Sequence, residues 1–272
     1  MMQPPGSTHN NERPRREVVA LVPAAGLASR LGKMPCSKEI MPLAISGGQG
    51  GEPVRVMADC LLHAFASAGI AETYFIVRDG KWDIPRFFGD GKRYGLNIAY
   101  LLMNLPWGTP FTLDQAWPFI RGKNVAMGFP DMQFQPRDIF TPMLERLDNS
   151  DADVVLGLMP QSRADKWDMV AFNEQLTISR IEIKQADCKL KHCWFAAVWS
   201  PRFSDFMHHY LATLAAEQDL AKRDEIYVGT VLQVAMREGF QIAGELFEAG
   251  EVIDLGTTDE LQCWTGDRLN NI

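Results

Sequence analysis

The chain has 272 residues, a net charge of -7, and 46% hydrophobic against 22% charged residues, proportions of a folded globular protein with enough apolar mass for a sizeable core. The acidic balance argues against nucleic acid as a partner, because polyanion binding concentrates basic residues on one face. No apolar run approaches the about 18 residues that a membrane span requires, and Cys36, Cys60, Cys188, Cys193 and Cys263, odd in number and without paired spacing, fit the reduced thiols of a cytoplasmic protein better than a disulfide frame or a zinc site.

Residues 1–16 are polar and carry Pro4, Pro5, Pro14 and several basic groups, so they read as a disordered tail without the apolar core of a signal peptide. A valine-rich strand over 17–23 follows, ending at Pro23 and opening into the small-residue loop Ala24-Ala25-Gly26-Leu27-Ala28-Ser29. The glycine cluster at 46–53 has no strand leading into it and reads as a surface turn. Apolar residues at helical spacing predict a helix over 54–69, with Gly69 placed to end it. Strands are expected at 73–77, 96–103, 124–128 and 152–159, and helices at 113–120 and 137–147. This alternation predicts a Rossmann-like α/β fold, a mixed and mostly parallel sheet with helices on both faces. The runs 169–172, 176–183 and 192–199 have no helix between them, so a smaller antiparallel portion is expected there. Helices at 202–216 and 225–238, strands at 240–246 and 252–254, and a last helix from Thr258 complete the chain. Nothing in it marks a repeat or a linker, which makes 17–272 a single domain.

Ligands of an open parallel sheet bind beyond the carboxyl ends of its strands, where loops and helix N-termini present N–H groups to anions. The stretch from Pro23 to Leu31 suits that place. Small side chains at Ala24, Ala25, Gly26, Leu27, Ala28 and Ser29 allow close backbone approach to a triphosphate, and the planar fork of Arg30 can neutralise it. Lys38, in Pro35-Cys36-Ser37-Lys38-Glu39, adds a second cation. Asp131 follows the expected strand at 124–128, where a carboxylate could hold a cation beside the phosphates. His63, His208 and His209 form no zinc pattern, and Trp167, Trp194 and Trp199 read as core or pocket walls.

These motifs resemble the signature of the sugar-1-phosphate nucleotidylyltransferases, the family of the glucose-1-phosphate thymidylyltransferases and UTP–glucose-1-phosphate uridylyltransferases. Gly26, Ser29, Arg30, Ser37 and Lys38 occupy the positions of its Gly-x-Gly-Thr-Arg loop and following Ser-Lys pair. Phe88-Gly89-Asp90-Gly91 with Tyr94-Gly95-Leu96-Asn97 continues the similarity, which extends over nearly the whole chain after residue 17. The resemblance implies condensation of a nucleoside triphosphate with a sugar 1-phosphate, releasing pyrophosphate. It further implies that Asp131 and Asp254, the latter in Ile253-Asp254-Leu255-Gly256-Thr257, hold Mg2+. Lys184 in Ile181-Glu182-Ile183-Lys184 matches a lysine that contacts the sugar phosphate. Arg30, Lys38, Asp131 and Lys184 are then the catalytic candidates, with 17–160 mainly nucleotide-binding and 161–272 mainly sugar-phosphate-binding. Glu225, before Ile226, matches a later Glu-Ile element, and a homo-oligomer is compatible with the resemblance.

The chain departs from the family at several points. Ala28 stands in place of the loop's second glycine, and Met103-Asn104 with Thr112-Leu113-Asp114-Gln115-Ala116 replaces the family's base-reading residues. Asn104 and Gln115 are the candidates for base contacts. Gln185 follows Lys184 where a proline is usual, and Ala196, like Glu182, is a candidate for the sugar-phosphate subsite. Two other readings stay open: a cytidylyltransferase acting on a non-sugar phosphate or phosphonate, and a protein that binds nucleotide or nucleotide sugar without turnover.

Overall fold

The computed structural model describes residues 16–27, 31–32, 34–44, 54–104, 107–217, 219–222, 224–256 and 260–261. Residues 1–15 of the expected tail, the glycine cluster at 46–53, Cys263 and the start of the last helix lie outside the described residues, as do the loop residues Ala28, Ser29 and Arg30. Among the described residues no helix is long and apolar enough to cross a membrane.

The first half alternates strands and helices. In order it runs β1 (Val18–Pro23), β2 (Pro42–Ala44), β3 (Arg55–Val56), α1 (Asp59–Ser67), β4 (Glu72–Arg78), α2 (Asp83–Phe88), β5 (Asn97–Met103), α3 (Thr109–Asp114), α4 (Trp117–Ile120), β6 (Asn124–Gly128), β7 (Met132–Gln135), α5 (Phe140–Asn149) and β8 (Val154–Pro160). The second half opens with β9 (Asp168–Phe172), β10 (Ile178–Ile183) and β11 (His192–Trp199). It continues with α6 (Pro201–Glu217), α7 (Val228–Arg237), β12 (Ile242–Leu246) and β13 (Glu251–Asp254).

The main sheet runs β10-β9-β11-β6-β1-β4-β5, with β8 paired to both β11 and β12. Strands β6, β1, β4 and β5 are parallel neighbours, whereas β11 runs antiparallel to β6, β8 and β9. This is the mixed sheet with an added antiparallel portion that the alternation of elements predicts. Successive residues of β1 face opposite sides, as the pleat requires. Ala20 and Val22 join a core with Leu61, Phe65, Phe140 and Met143 of α1 and α5. Val19 and Leu21 join another with Leu113, Phe203, Met207, Val231 and Leu232 of α3, α6 and α7. The sheet is therefore buried on both faces between helical layers, and only its strand ends are left for ligands.

Several elements differ from the sequence expectation, α2 among them, where no helix was expected. The helix expected from residue 54 begins at Asp59, because Asp59 Oδ2 accepts the Val56 N–H at 2.7 Å and Val56 pairs with Pro42 in a small antiparallel ribbon. The helix expected over 113–120 is two short pieces, each with proline in its first turn, where a missing N–H does no harm. Strand β7 was not expected, and it pairs antiparallel with β13, setting Asp254 against Met132.

Candidate active site

A cleft of about 570 Å³ opens at the carboxyl ends of β1 and β6, and the antiparallel portion and α7 wall its other side. Its lining gathers Ala25, Gly26, Leu27, Lys38, Asp131, Lys184, Glu225 and Asp254, residues drawn from widely separated parts of the chain.

The two carboxylates meet because of the β7–β13 ribbon. Asp131 immediately precedes β7, Asp254 ends β13, and the Leu255 N–H donates to the Asp131 carbonyl at 3.0 Å. Gly256 lies between them: a Cβ there would stand 2.7 Å from Asp254 Oδ1 and 3.1 Å from Asp131 Oδ2. The Gly256 N–H also donates to Asp254 Oδ1 at 2.7 Å. Burial, and then the neighbouring Asp131, push the Asp254 carboxyl above the usual range, against the pull of the Gly256 N–H and Lys38.

Lys38 forms an ion pair with Asp131. Burial would lower its ammonium, but Asp131 and Glu39, with a smaller share from Asp254, hold it above its ordinary value. Two anchors fix the loop that carries it. Ser37 donates from its N–H and its Oγ to Asp83, at 2.6 and 2.7 Å. Glu39, fully buried, pairs with Lys81 at 2.7 Å. Both partners come from the start of α2 and the turn before it, a helix that the sequence reading did not assign.

Across the cleft, Lys184 follows β10 with φ 46° and places its ammonium 4.1 Å from the centre of the Tyr227 ring. That backbone conformation costs a lysine about 1–2 kcal/mol, and the cation–π contact with Tyr227 offsets part of it. Lys166, paired with Glu260 at 2.6 Å, is a further cation in the lining. Ile226 hydrogen-bonds to Trp107 through its N–H at 3.3 Å, which docks the Glu225-Ile226 element against Gly108.

Several sequence candidates lie elsewhere. The Ala24 N–H is taken by the Ile76 carbonyl at 2.8 Å and its methyl group is in the core, so neither faces the cleft. Asn104 and Gln115 are exposed and do not line it. With α3 beginning at Thr109, Gly108, Thr109 and Thr112 take the lining positions, and Gln115 falls beyond the helix end. Glu182 pairs with Arg180 at 3.3 Å, away from the cleft. Ala196 is buried between β6 and β8, opposite Gly128 and Gly157, and Trp194, two residues earlier, reaches the lining instead. Trp167 and Trp194 are pocket walls, while Trp199 is core and donates to Ser204 Oγ at 2.8 Å.

The residues suit a hard divalent cation. Asp131 and Asp254 offer carboxylate oxygens facing a common space, and Mg2+ characteristically takes one or two carboxylates and fills its remaining positions with water and substrate phosphate. Among the described residues there is no group of three or more histidine, cysteine or acidic side chains of the kind that holds a metal without help from a ligand.

An α/β sheet of this order, with a cationic and acidic cleft at its carboxyl ends, has the architecture of the nucleotide-diphospho-sugar transferases. The comparisons with known proteins agree. The chain is 34% identical, over 112 residues, to a glucose-1-phosphate thymidylyltransferase of Streptomyces antibioticus, a match spanning 41% of this chain and 30% of that relative. In fold it is similar to a protein described as a glucose-1-phosphate thymidylyltransferase of Bacillus anthracis, solved with sucrose, at TM-score 0.75 and 16% identity over 92% of this chain and 94% of the other. A UDP-glucose pyrophosphorylase solved with UDP-glucose superposes with TM-score 0.73 and 12% identity, covering 93% of this chain and 99% of that one. No protein-family profile matches the chain. Sequence and fold thus both bear out the resemblance to the sugar-1-phosphate nucleotidylyltransferases.

Proposed function

We propose that the protein condenses a nucleoside triphosphate with a sugar 1-phosphate, giving a nucleotide sugar and pyrophosphate. The observation that carries this reading is the convergence of Asp131 and Asp254 on one side of a cleft that Lys184 faces from the antiparallel wall. The Ala25-Gly26-Leu27 backbone and Lys38 bind the triphosphate, with Arg30 of the same loop as their partner. Lys184 neutralises and orients the sugar phosphate, whose oxygen attacks the α-phosphorus in line with the departing pyrophosphate. Lys38 balances Asp131 and places positive charge beside the phosphates. Asp131 and Asp254 would hold Mg2+, which supplies charge neutralisation on the phosphate oxygens when bound.

Such chemistry needs positioning and fixed charge rather than a covalent nucleophile. Cys36 is no rival nucleophile, since burial, then Asp83 and Glu39, push its thiol up and away from the reactive thiolate. On this reading residues 17–160 supply most of the nucleotide site and 161–272 most of the sugar-phosphate site. The free thiols of Cys36, Cys60, Cys188 and Cys193 accord with a reducing, cytoplasmic setting.

The test is pyrophosphate release from dTTP, UTP, CTP, ATP and GTP, each with a panel of sugar 1-phosphates and Mg2+. One pair should turn over, and Asp131→Asn should lower kcat on the order of a hundredfold or more. Turnover only with CTP and a non-sugar phosphate, or nucleotide binding with no product from any pair, would replace this reading.

A further inference from the structure

Lys38 and Asp131 lie 93 residues apart in the chain, and the segments that carry them meet on one turn, residues 56–59, which leads into α1. Met57 and Ala58 are fully buried there. On one side the Met57 N–H donates to the Met41 carbonyl and the Ala58 N–H to the Glu39 carbonyl, each at 3.0 Å. Ala58 begins the helix without a side-chain cap, so the loop of Lys38 supplies acceptors that the helix start needs. On the other side Gln133, in β7, donates from Nε2 to the Met57 carbonyl at 2.8 Å and to the Met132 carbonyl at 3.2 Å. Two carbonyl oxygens around one nitrogen fix which way the amide points.

A buried amide in a strand needs a reason, because an apolar side chain of the same size would carry no desolvation cost. Gln133 is 7% exposed. Its amide meets a carbonyl that water does not reach, and a buried backbone acceptor left unmet costs as much as a lost hydrogen bond. The same contact ties β7 to the turn two residues after Asp131. Cys60 Sγ, 3.7 Å from the Phe134 carbonyl, adds a weak donor along that seam. The turn is also held from behind. Asp59, itself 7% exposed, accepts the Val56 N–H at 2.7 Å and the Tyr94 hydroxyl at 2.6 Å, which gives the Tyr94-Gly95-Leu96-Asn97 motif a part in mounting the cleft.

We propose that Gln133 is a positioning residue, whose amide keeps Asp131 in register with Lys38 by tying both to the turn at Met57. The inference rests on the reading of the cleft given above, in which Asp131 takes a divalent cation and Lys38 the triphosphate. The pairing of β7 with β13 cannot do the same work, because those two strands form a ribbon apart from the main sheet and shift as a unit. A displacement of the whole turn carries Lys38 and Asp131 together and preserves their spacing. Loss of the Gln133 amide releases the Asp131 strand alone.

Calorimetric titration with a triphosphate, in excess Mg2+ and in EDTA, tests this without an acceptor and without turnover. The probe is whichever of dTTP, UTP, CTP, ATP and GTP the wild type binds tightest in Mg2+. Gln133→Met keeps the length of the side chain and removes the donor. It should bind the probe about ten- to a hundredfold more weakly in Mg2+, as loss of an outer partner of a metal carboxylate does, and within about twofold of the wild type in EDTA. Tyr94→Phe strips the support behind the turn but leaves both segments on it, so it should lower the thermal midpoint and leave both affinities unchanged. Gln133→Glu, of native shape but turning an oxygen towards the two carbonyls, should repeat the loss in Mg2+ and serves where Gln133→Met does not fold. Equal weakening in Mg2+ and EDTA, unchanged affinity in Mg2+, a magnesium-specific loss in Tyr94→Phe, or failure of both Gln133 variants to fold would overturn the proposal. A wild type that binds equally well in Mg2+ and EDTA would instead remove the reading of the cleft, and the proposal with it. Pyrophosphate release is measured separately: a magnesium-specific loss in Gln133→Met with no turnover from any pair would leave the positioning role standing and remove the enzymatic reading.

Discussion

Burial sets the behaviour of Asp168, which opens β9. Its carboxyl is lifted from 3.8 to about 6, and at about 1.4 kcal/mol per pKa unit the ionised form costs the fold on the order of 3 kcal/mol. The sign follows from linkage. The folded state binds the proton more tightly than the unfolded chain, so the cost is absent below pH 3.8 and grows as pH rises towards about 6. Asp168→Asn should therefore match the wild type in urea unfolding near pH 4 and exceed it near pH 7 by up to about 3 kcal/mol. Equal differences at the two pH values would show that the group carries no such burden. Lys184 and the Trp194 N–H pull the carboxyl back without cancelling the effect of burial. The sequence alone could not show this, because the meeting of Asp168 with Trp194 is a matter of strand register between segments some twenty-five residues apart, which no local pattern encodes. Asp131, Asp254, Lys38 and Lys184 were legible because each sits in a short motif with its own spacing. Asn104, Gln115, Glu182 and Ala196 were carried over from the family's motifs, and a helix start or a strand face places their side chains away from the cleft lining.

The loop that carries Lys38 owes its shape to α2 and the turn before it. Glu39 is fully buried, and its one ion-pair partner among the described residues is Lys81, itself 5% exposed. Removing a single member of such a pair strands a charge in the interior, whereas replacing both with apolar groups of similar volume is often tolerated. Lys81→Met should accordingly lower unfolding free energy by about 3–5 kcal/mol and weaken triphosphate binding through displacement of Lys38. The double variant Glu39→Leu with Lys81→Met should recover most of that stability. Chemical denaturation of the two single variants and the double variant reads the coupling directly, and additive losses would contradict it. The long elements were legible: the strands expected at 124–128 and 192–199 have the observed bounds, since continuous apolar runs flanked by breakers leave little choice. Strand β7 and α2 were not, because each is short and owes its form to a partner elsewhere, β13 in one case and the Ser37 loop in the other.

The helix–sheet–helix layering leaves the carboxyl ends of the strands open, and that layout decides how the molecule should respond to the Mg2+ proposed for Asp131 and Asp254. Core residues fill both faces of the sheet without any contribution from Asp131 or Asp254, and the carboxylate pair lies at the rim on a two-stranded ribbon outside the main sheet. A divalent cation there has no structural layer to hold together, unlike a closed protein cage whose binding energy is folding energy. Chelation with EDTA should therefore abolish pyrophosphate release while leaving the midpoint of thermal unfolding within about 2 °C, a shift worth less than 1 kcal/mol for a domain of this size. Mg2+ alone should raise the midpoint only slightly. Mg2+ together with a triphosphate should raise it by several degrees, because a ligand stabilises in proportion to RT ln(1 + [L]/Kd) and two carboxylates bind magnesium firmly only when phosphate oxygens complete its shell. Differential scanning of the four combinations separates these cases. A large loss of stability on chelation alone would mean that the cation is built into the fold, and that the ribbon of β7 and β13 exists to bind it permanently rather than to admit it with substrate.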